Sequence, residues 1–201
     1  AMEAIKDRKL ELGLPMDPRD IHATGIIGEQ YSPITTTLGS IEAKRTSANP
    51  DMAALVVHLL AASNIKEGDT VGANFSGSFP ALNIAVLSAC EVLNVDVVYI
   101  SSIGSSNYGA NQPDFTFPDM ANYLVNKGIL SSDNSLVSPG GEDDIGSNMD
   151  TDVLEDIIQR IKSYGIEVME ESNFQRNVKR RREIFDNKTI DVFINVGGNI
   201  T

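Results

Sequence analysis

The chain predicts an α/β fold built on a doubly wound, mostly parallel, Rossmann-like sheet. Short apolar runs alternate with stretches of helical length along its 201 residues, as βα repetition requires. Residues 95–101, VDVVYIS, are nearly all apolar, the mark of a parallel strand covered on both faces. Loops of small residues follow two of the expected strands, at 76–80 and 101–111, where open α/β sheets place their ligands. The length suits one domain, or one large and one small lobe, with room for a real core.

In chain order, residues 3–12 read as a helix stopped by Gly13 and Pro15. Residues 15–49 lack long periodicity and are rich in Thr, Ser, Gly and Pro, and a loop of that size usually carries function. Asn49 as cap, Pro50 at the first position and Asp51 in the first turn open a helix that ends near Asn64. Residues 71–75 form a strand, and Pro80 starts a helix over 80–94 that leads into the strand at 95–101. A helix over 118–128 ends at Gly128, and 131–150 reads as a polar loop. Asp150 or Thr151 caps a helix over 151–164, closed by Gly165. A short strand at 166–169, a strongly basic helix at 172–187 and an apolar strand at 190–196 complete the pattern. Residues 1–24 are therefore an N-terminal helix and linker, and 25–201 an α/β domain incomplete at its C-terminus. Ala1-Met2 reads as a cloning scar and the last residues stop inside a βα turn after Gly197-Gly198, so the chain is expected to be truncated at both ends.

A net charge of −12 argues against nucleic acid as a partner, because phosphate binding needs cationic surface. Cys90 is the single cysteine and lies in an apolar helix, so no intrachain disulfide forms and the thiol is expected to act as a small buried hydrophobe. No run approaches the ~20 apolar residues of a membrane span. His22 and His58 are too few and too separated for a recognisable zinc site.

Four segments are candidate sites. In Asn74-Phe75-Ser76-Gly77-Ser78-Phe79-Pro80, Gly77 permits a sharp turn that directs amides at the next helix start. Ser76 or Ser78 then contacts an anion or, with a base, acts as a nucleophile, and Asn74 joins the contacts. The run matches no nucleophile elbow, P-loop or dinucleotide fingerprint, and the alternative is turn chemistry with helix capping. In residues 101–111, Gly104, Ser105, Ser106 and Asn111 face the first loop across one crevice if their strands are neighbours. Asp114 and Asp119 follow as a possible base or metal ligand, against the alternative of helix-start acids. In residues 29–39, Thr36 and Thr37 precede Lys44 and Arg45, a set that suits a carboxylate or phosphate, with Arg45 able to pair in bidentate fashion. Lys44 as a base requires burial; the alternative for the segment is an edge strand and surface turn. In 140–146, Asp143 and Asp144 are candidate ligands for Mg²⁺ or Ca²⁺, against a solvated acidic loop. The run Lys179-Arg180-Arg181-Arg182 reads as a solvated helix face, or else a patch for an anionic partner or lipid headgroup. No cofactor is assigned.

The segments EQYSPITTTLGSIEAKRTSANPD, GDTVGANFSGSFPALNIAVLSA, SSIGSSNYGANQPDFTFPDM and GGEDDIG together resemble the bacterial poly-γ-glutamate system protein family, over roughly residues 25–200. That family is encoded beside the synthesis and export genes for this capsular or released polymer. The resemblance implies an accessory component of poly-γ-glutamate production or export, membrane-anchored at the cell envelope through a segment absent from this chain. It implies as partners the polymer or a glutamyl substrate, and other proteins of the same system. The hydroxyl-rich loops with Lys44 and Arg45 would hold its carboxylates. The alternatives are a serine-dependent amide hydrolase or acyl transferase acting on γ-glutamyl bonds through Ser76 or Ser78, and a nucleotide- or phosphate-binding domain.

Overall fold

The computed structural model describes residues 1–198; the end of the expected final βα turn, residues 199–201, lies outside them. The elements are α1 (Met2–Glu11), β1 (Thr35–Thr37), α2 (Ile41–Ser47), α3 (Asp51–Ala62), β2 (Thr70–Phe75), α4 (Pro80–Leu93), β3 (Asp96–Ser102), β4 (Ser105–Ser106), α5 (Phe117–Asn126), β5 (Leu136–Ser138), α6 (Thr151–Ser163), α7 (Phe174–Asp186) and β6 (Val192–Val196). A 3-10 turn covers Glu142–Asp144. The main sheet is parallel with strand order β5-β3-β2-β6, and β1 and β4 form a separate parallel pair. The fold is α/β with helices on both faces, as the alternating pattern predicts.

The chain steps outward from β2 to β3 to β5 and then returns to place β6 on the other side of β2. That reversal makes the carboxyl ends of the central strands the place where a crevice opens. Three apolar clusters hold the layers. Val71, Ala73, Phe75 and Tyr99 pack against α4 and α5, with Phe75 5.1 Å from the Tyr99 ring and 5.9 Å from Phe117. Val137 and Ile103 pack under α6 through Leu154, Ile157 and Ile161. Ile100 and Leu136 pack on the opposite side under Ile184 and Phe185 of α7.

Residues 1–24 lie against this body. Ile5 is fully buried in the main cluster, and Lys9 Nζ donates to the carbonyls of Gly25 (3.4 Å) and Ile27 (3.2 Å). Cys90 is buried, and burial with the nearby Glu91 carboxylate pushes its thiol up to about 12. Asn94 closes α4 in the left-handed conformation. Thr116 and Asp119 form a capping box at the start of α5, and the Asp119 carboxylate also receives Arg160 Nε at 2.9 Å and Tyr164 Oη at 3.0 Å. Asp119 is thus a helix-start acid that ties α5 to α6.

Three expectations are corrected. The loop expected over 15–49 contains β1 and α2, the latter started by Ser40, whose Oγ accepts from Ala43 N at 3.3 Å. The polar loop expected over 131–150 contains β5, whose three residues are all buried. All three elements are too short to show a period. The strand expected at 166–169 shrinks to one bridge, Val137 to Val168.

Gly28 shows how closely the long N-terminal loop sits on the 102–111 loop. A Cβ there would lie 2.0 Å from the Gly109 carbonyl oxygen and 2.3 Å from Asn111 Oδ1. Gly28→Ala is expected to lower the urea-unfolding free energy by about 2–3 kcal/mol, the range for forcing extra volume into a packed site.

Candidate functional site

The 76–80 turn is held from three directions. Ser76 N donates to Val196 O at 3.0 Å, which joins the turn to the end of β6. Gly77 N donates to Ser102 Oγ at 3.1 Å, while Gly77 O accepts from Ala110 N (2.8 Å) and Ser105 Oγ (3.0 Å). Ser78 Oγ accepts from Ser106 N at 3.0 Å. A Cβ on Gly77 would lie 2.8 Å from Gly104 O, so only glycine permits this approach. The crevice expected between the two loops is therefore closed in part by direct bonds between them.

The open space lies just beside that seam, as a pocket of about 360 Å³ over the carboxyl ends of β2, β3 and β5. Thr36, Thr37, Ser76, Ser78, Ser102 and Ser138 line it with Gly104, Gly140 and Gly141, although the hydroxyls of Thr36, Ser102 and Ser138 donate within the protein, to Ser105 O, Gly104 O and Asp144. Glu142, Asp144, Asn148 and Arg181 complete the polar wall. Its size and polarity suit a small ligand, or one unit of a longer one.

Arg181, from α7, supplies the cation. Its Nη2 donates to Asp144 Oδ2 and, at 2.8 Å, to Ser138 Oγ, and its Nε donates to Asn177 Oδ1 at 3.0 Å. The remaining Nη1 makes no hydrogen bond among the described residues. Asp144 is fully engaged, with Oδ1 accepting from Ser138 Oγ (2.8 Å) and Oδ2 also accepting from Asn177 Nδ2 (2.9 Å). Asp143 is exposed beside it. Among the described residues no group of three or more His, Cys, Asp or Glu side chains is arranged to hold a metal ion.

Lys44 lies behind the seam. It is 2% exposed, and its Nζ donates to the Ser78 carbonyl and, at 2.9 Å, to Ser106 Oγ. The ammonium also sits 3.7 Å from the centre of the Phe79 ring. Burial lowers its pKa to about 8. Its hydrogen bonds do not go to the hydroxyl of Ser76 or Ser78, so neither serine has the base that activation needs in this arrangement. Of the other two base candidates, Asp119 is spent on α5 and Arg160, and Asp114 lines a different cavity beside it.

Thr36, Thr37, Ser76, Ser78 and Gly104 thus reach the pocket, as does Asp144. Gly77, Ser105 and Ser106 are buried in the seam. Asn111 is fully buried, with Oδ1 accepting from Glu29 N (2.8 Å) and Nδ2 donating to Glu29 O and Thr35 Oγ1 (both 2.9 Å), so it positions the loop rather than a ligand. Asn74 sits within β2, and its Oδ1 is buried without a hydrogen bond among the described residues. Arg45 points away from Lys44 into a separate cavity, because adjacent helical residues lie about 100° apart.

Of the polar side chains lining the pocket, Ser138 and Asn148 lie outside every candidate segment, and Arg181 belongs to the basic run that reads as a solvated face or anionic-partner patch. The solvated face expected for residues 179–182 is corrected at Arg181, which is 8% exposed. The neighbouring arginines pair on the protein's own surface, Arg180 with Glu167 at 2.7 Å and Arg182 with Asp186 at 3.2 Å. A signal was present: Asn177, Arg181, Ile184 and Phe185 fall at the i, i+4, i+7, i+8 spacing of a buried helix face.

A pH dependence follows from Lys44. Its folded value, about 8, lies below the ordinary 10.5, so between these pH values the folded state binds fewer protons than the unfolded one. The Lys44 contribution to stability therefore rises with pH across that window. The unfolding free energy of the parent protein relative to Lys44→Met is expected to climb by up to about 3 kcal/mol through it, at about 1.4 kcal/mol per pKa unit. Urea titrations of both proteins at several pH values measure this.

Among the described residues no helix is long and apolar enough to cross a membrane. No protein-family model, curated protein or solved structure matches the chain.

Proposed function

We propose that the protein is an accessory component of bacterial poly-γ-glutamate biosynthesis or export at the cell envelope, and that its pocket binds the polymer or a glutamyl precursor through carboxylate groups. The observation that carries this reading is Arg181, a guanidinium fixed by Asp144 and Ser138 with Nη1 left over at the pocket wall. A held guanidinium loses little freedom when it pairs with a carboxylate, and the surrounding hydroxyls supply further donors. All four segments that carry the family resemblance contribute to the lining: Thr36 and Thr37, Ser76 and Ser78, Ser102 and Gly104, and Gly140, Gly141, Glu142 and Asp144. The guanidinium brings donors to the pocket of a chain of net charge −12, while Asp144 and Glu142 offset its charge, so the reading rests on directed hydrogen bonds rather than on field.

Binding is favoured over amide hydrolysis or acyl transfer because Lys44 addresses buried Ser106 and a backbone carbonyl, not Ser76 or Ser78. A nucleotide or phosphate would draw on the same loops, and a direct comparison of ligands separates it.

Calorimetric titration at low salt with γ-linked glutamate oligomers and with the polymer is expected to give a saturable heat that ATP does not. Arg181→Lys keeps the charge but loses the planar fork, and is expected to weaken binding about tenfold. Thr37→Val tests the hydroxyl wall without disturbing the buried pair and is expected to weaken it a further few-fold, roughly the worth of one hydrogen bond. No saturable heat with either glutamyl probe overturns the proposal.

A further inference from the structure

A second cavity, of about 760 Å³, opens between α1, α2 and the start of α3. Helix α2 separates it from the pocket at the strand ends by turning Lys44 inward and Arg45 outward. Lys6 from α1, His22 and Arg45 line it, and Glu3 is the one carboxylate among its lining residues. Arg45 Nε donates to Arg19 O at 2.9 Å, which fixes the guanidinium, while Nη1 and Nη2 make no hydrogen bond among the described residues. Lys6 forms no ion pair among them, and Glu42, one turn before Arg45, is the carboxylate that feels the Arg45 charge.

The walls are built rather than incidental. Gly25 lies so close on α1 that a Cβ would meet Lys6 Cα at 2.7 Å, and Lys9 fastens the same segment through the Gly25 and Ile27 carbonyls. Asn49 and Pro50 bring the positive end of twelve-residue α3 to the rim. Met2, Ala48 and Pro50 add apolar surface beside the cations. We infer that this cavity is a second ligand site, for an oxyanion, carboxylate or phosphate, carried on a compact organic body. The inference stands apart from the strand-end pocket and does not use Arg181.

The test is a titration of isotope-labelled protein at low salt with glutarate and with inorganic phosphate, followed through the backbone amides of Thr24, Thr46 and Asn49. Saturable shifts are expected at these amides with at least one probe, and which probe responds names the source of the oxyanion. Lys6→Gln, which removes no hydrogen bond, and Arg45→Gln are each expected to weaken that response several-fold, about tenfold together. Arg181→Lys is expected to leave it unchanged, which separates failure here from failure of the strand-end site. Lys6→Gln also keeps the test decisive if Arg45→Gln lowers stability through its bond to Arg19. Absence of saturable shifts with both probes, or shifts insensitive to Lys6→Gln, overturns the inference.

Discussion

The bonds that lock the 76–80 turn to the 102–111 loop set the position of everything around the strand ends. Gly77 uses both its amide and its carbonyl in this seam, and Ser78 receives the Ser106 amide. The two loops form one edge because the amides of Gly77, Ser106 and Ala110 find their partners across the gap. The close approach depends on missing side chains: a Cβ on Gly109 would sit 2.2 Å from Ser105 Oγ and 2.8 Å from Gly77 O. Asn111 then fastens the far end of the same loop to Glu29 and Thr35, which brings β1 and its threonines to the pocket.

The buried charges divide into two kinds. Arg181 and Asp144 are both buried, paired and hydrogen-bonded, so removing one member strands the other at a cost of about 3–5 kcal/mol, whereas in the Arg160–Asp119 pair only the carboxylate is buried. Lys44 has no carboxylate at all and rests on a carbonyl, a hydroxyl and the face of Phe79. It cements the seam while protonated, yet its burial carries a charge penalty that vanishes on deprotonation. In a chain with 28 acidic and 16 basic side chains, several cations are committed to internal contacts. Nη1 of Arg181, and Nη1 and Nη2 of Arg45, make no hydrogen bond among the described residues.

Strand–helix alternation, a helix start near Pro50 and the apolar run before Ser101 were legible because each is a local pattern with its own period or stop signal, although Pro50 rather than Asn49 is the N-cap and no side chain caps the helix. The loops at 76–80 and 101–111, which border the pocket at the strand ends, were legible as loops for the same reason. Elements such as β5 and α2 were not, since three or seven residues carry too little periodicity and owe their structure to neighbours. Leu136 and Val137 become a strand because β3 offers its edge and α6 and α7 cover both faces.

By itself, then, the sequence determined the α/β class, the order of the long elements and the loops nearest the pocket at the strand ends. Only the tertiary structure decided which side chains share that pocket. It drew Arg181 out of a run of surface arginines because the 177–181–184–185 face of α7 must bury against the sheet. It set Lys44 and Arg45 on opposite sides of α2, in two different environments. Contacts between residues more than a hundred positions apart, such as Asn148 Nδ2 to Thr36 O at 3.0 Å, leave no local period to read and arise only when the layers close.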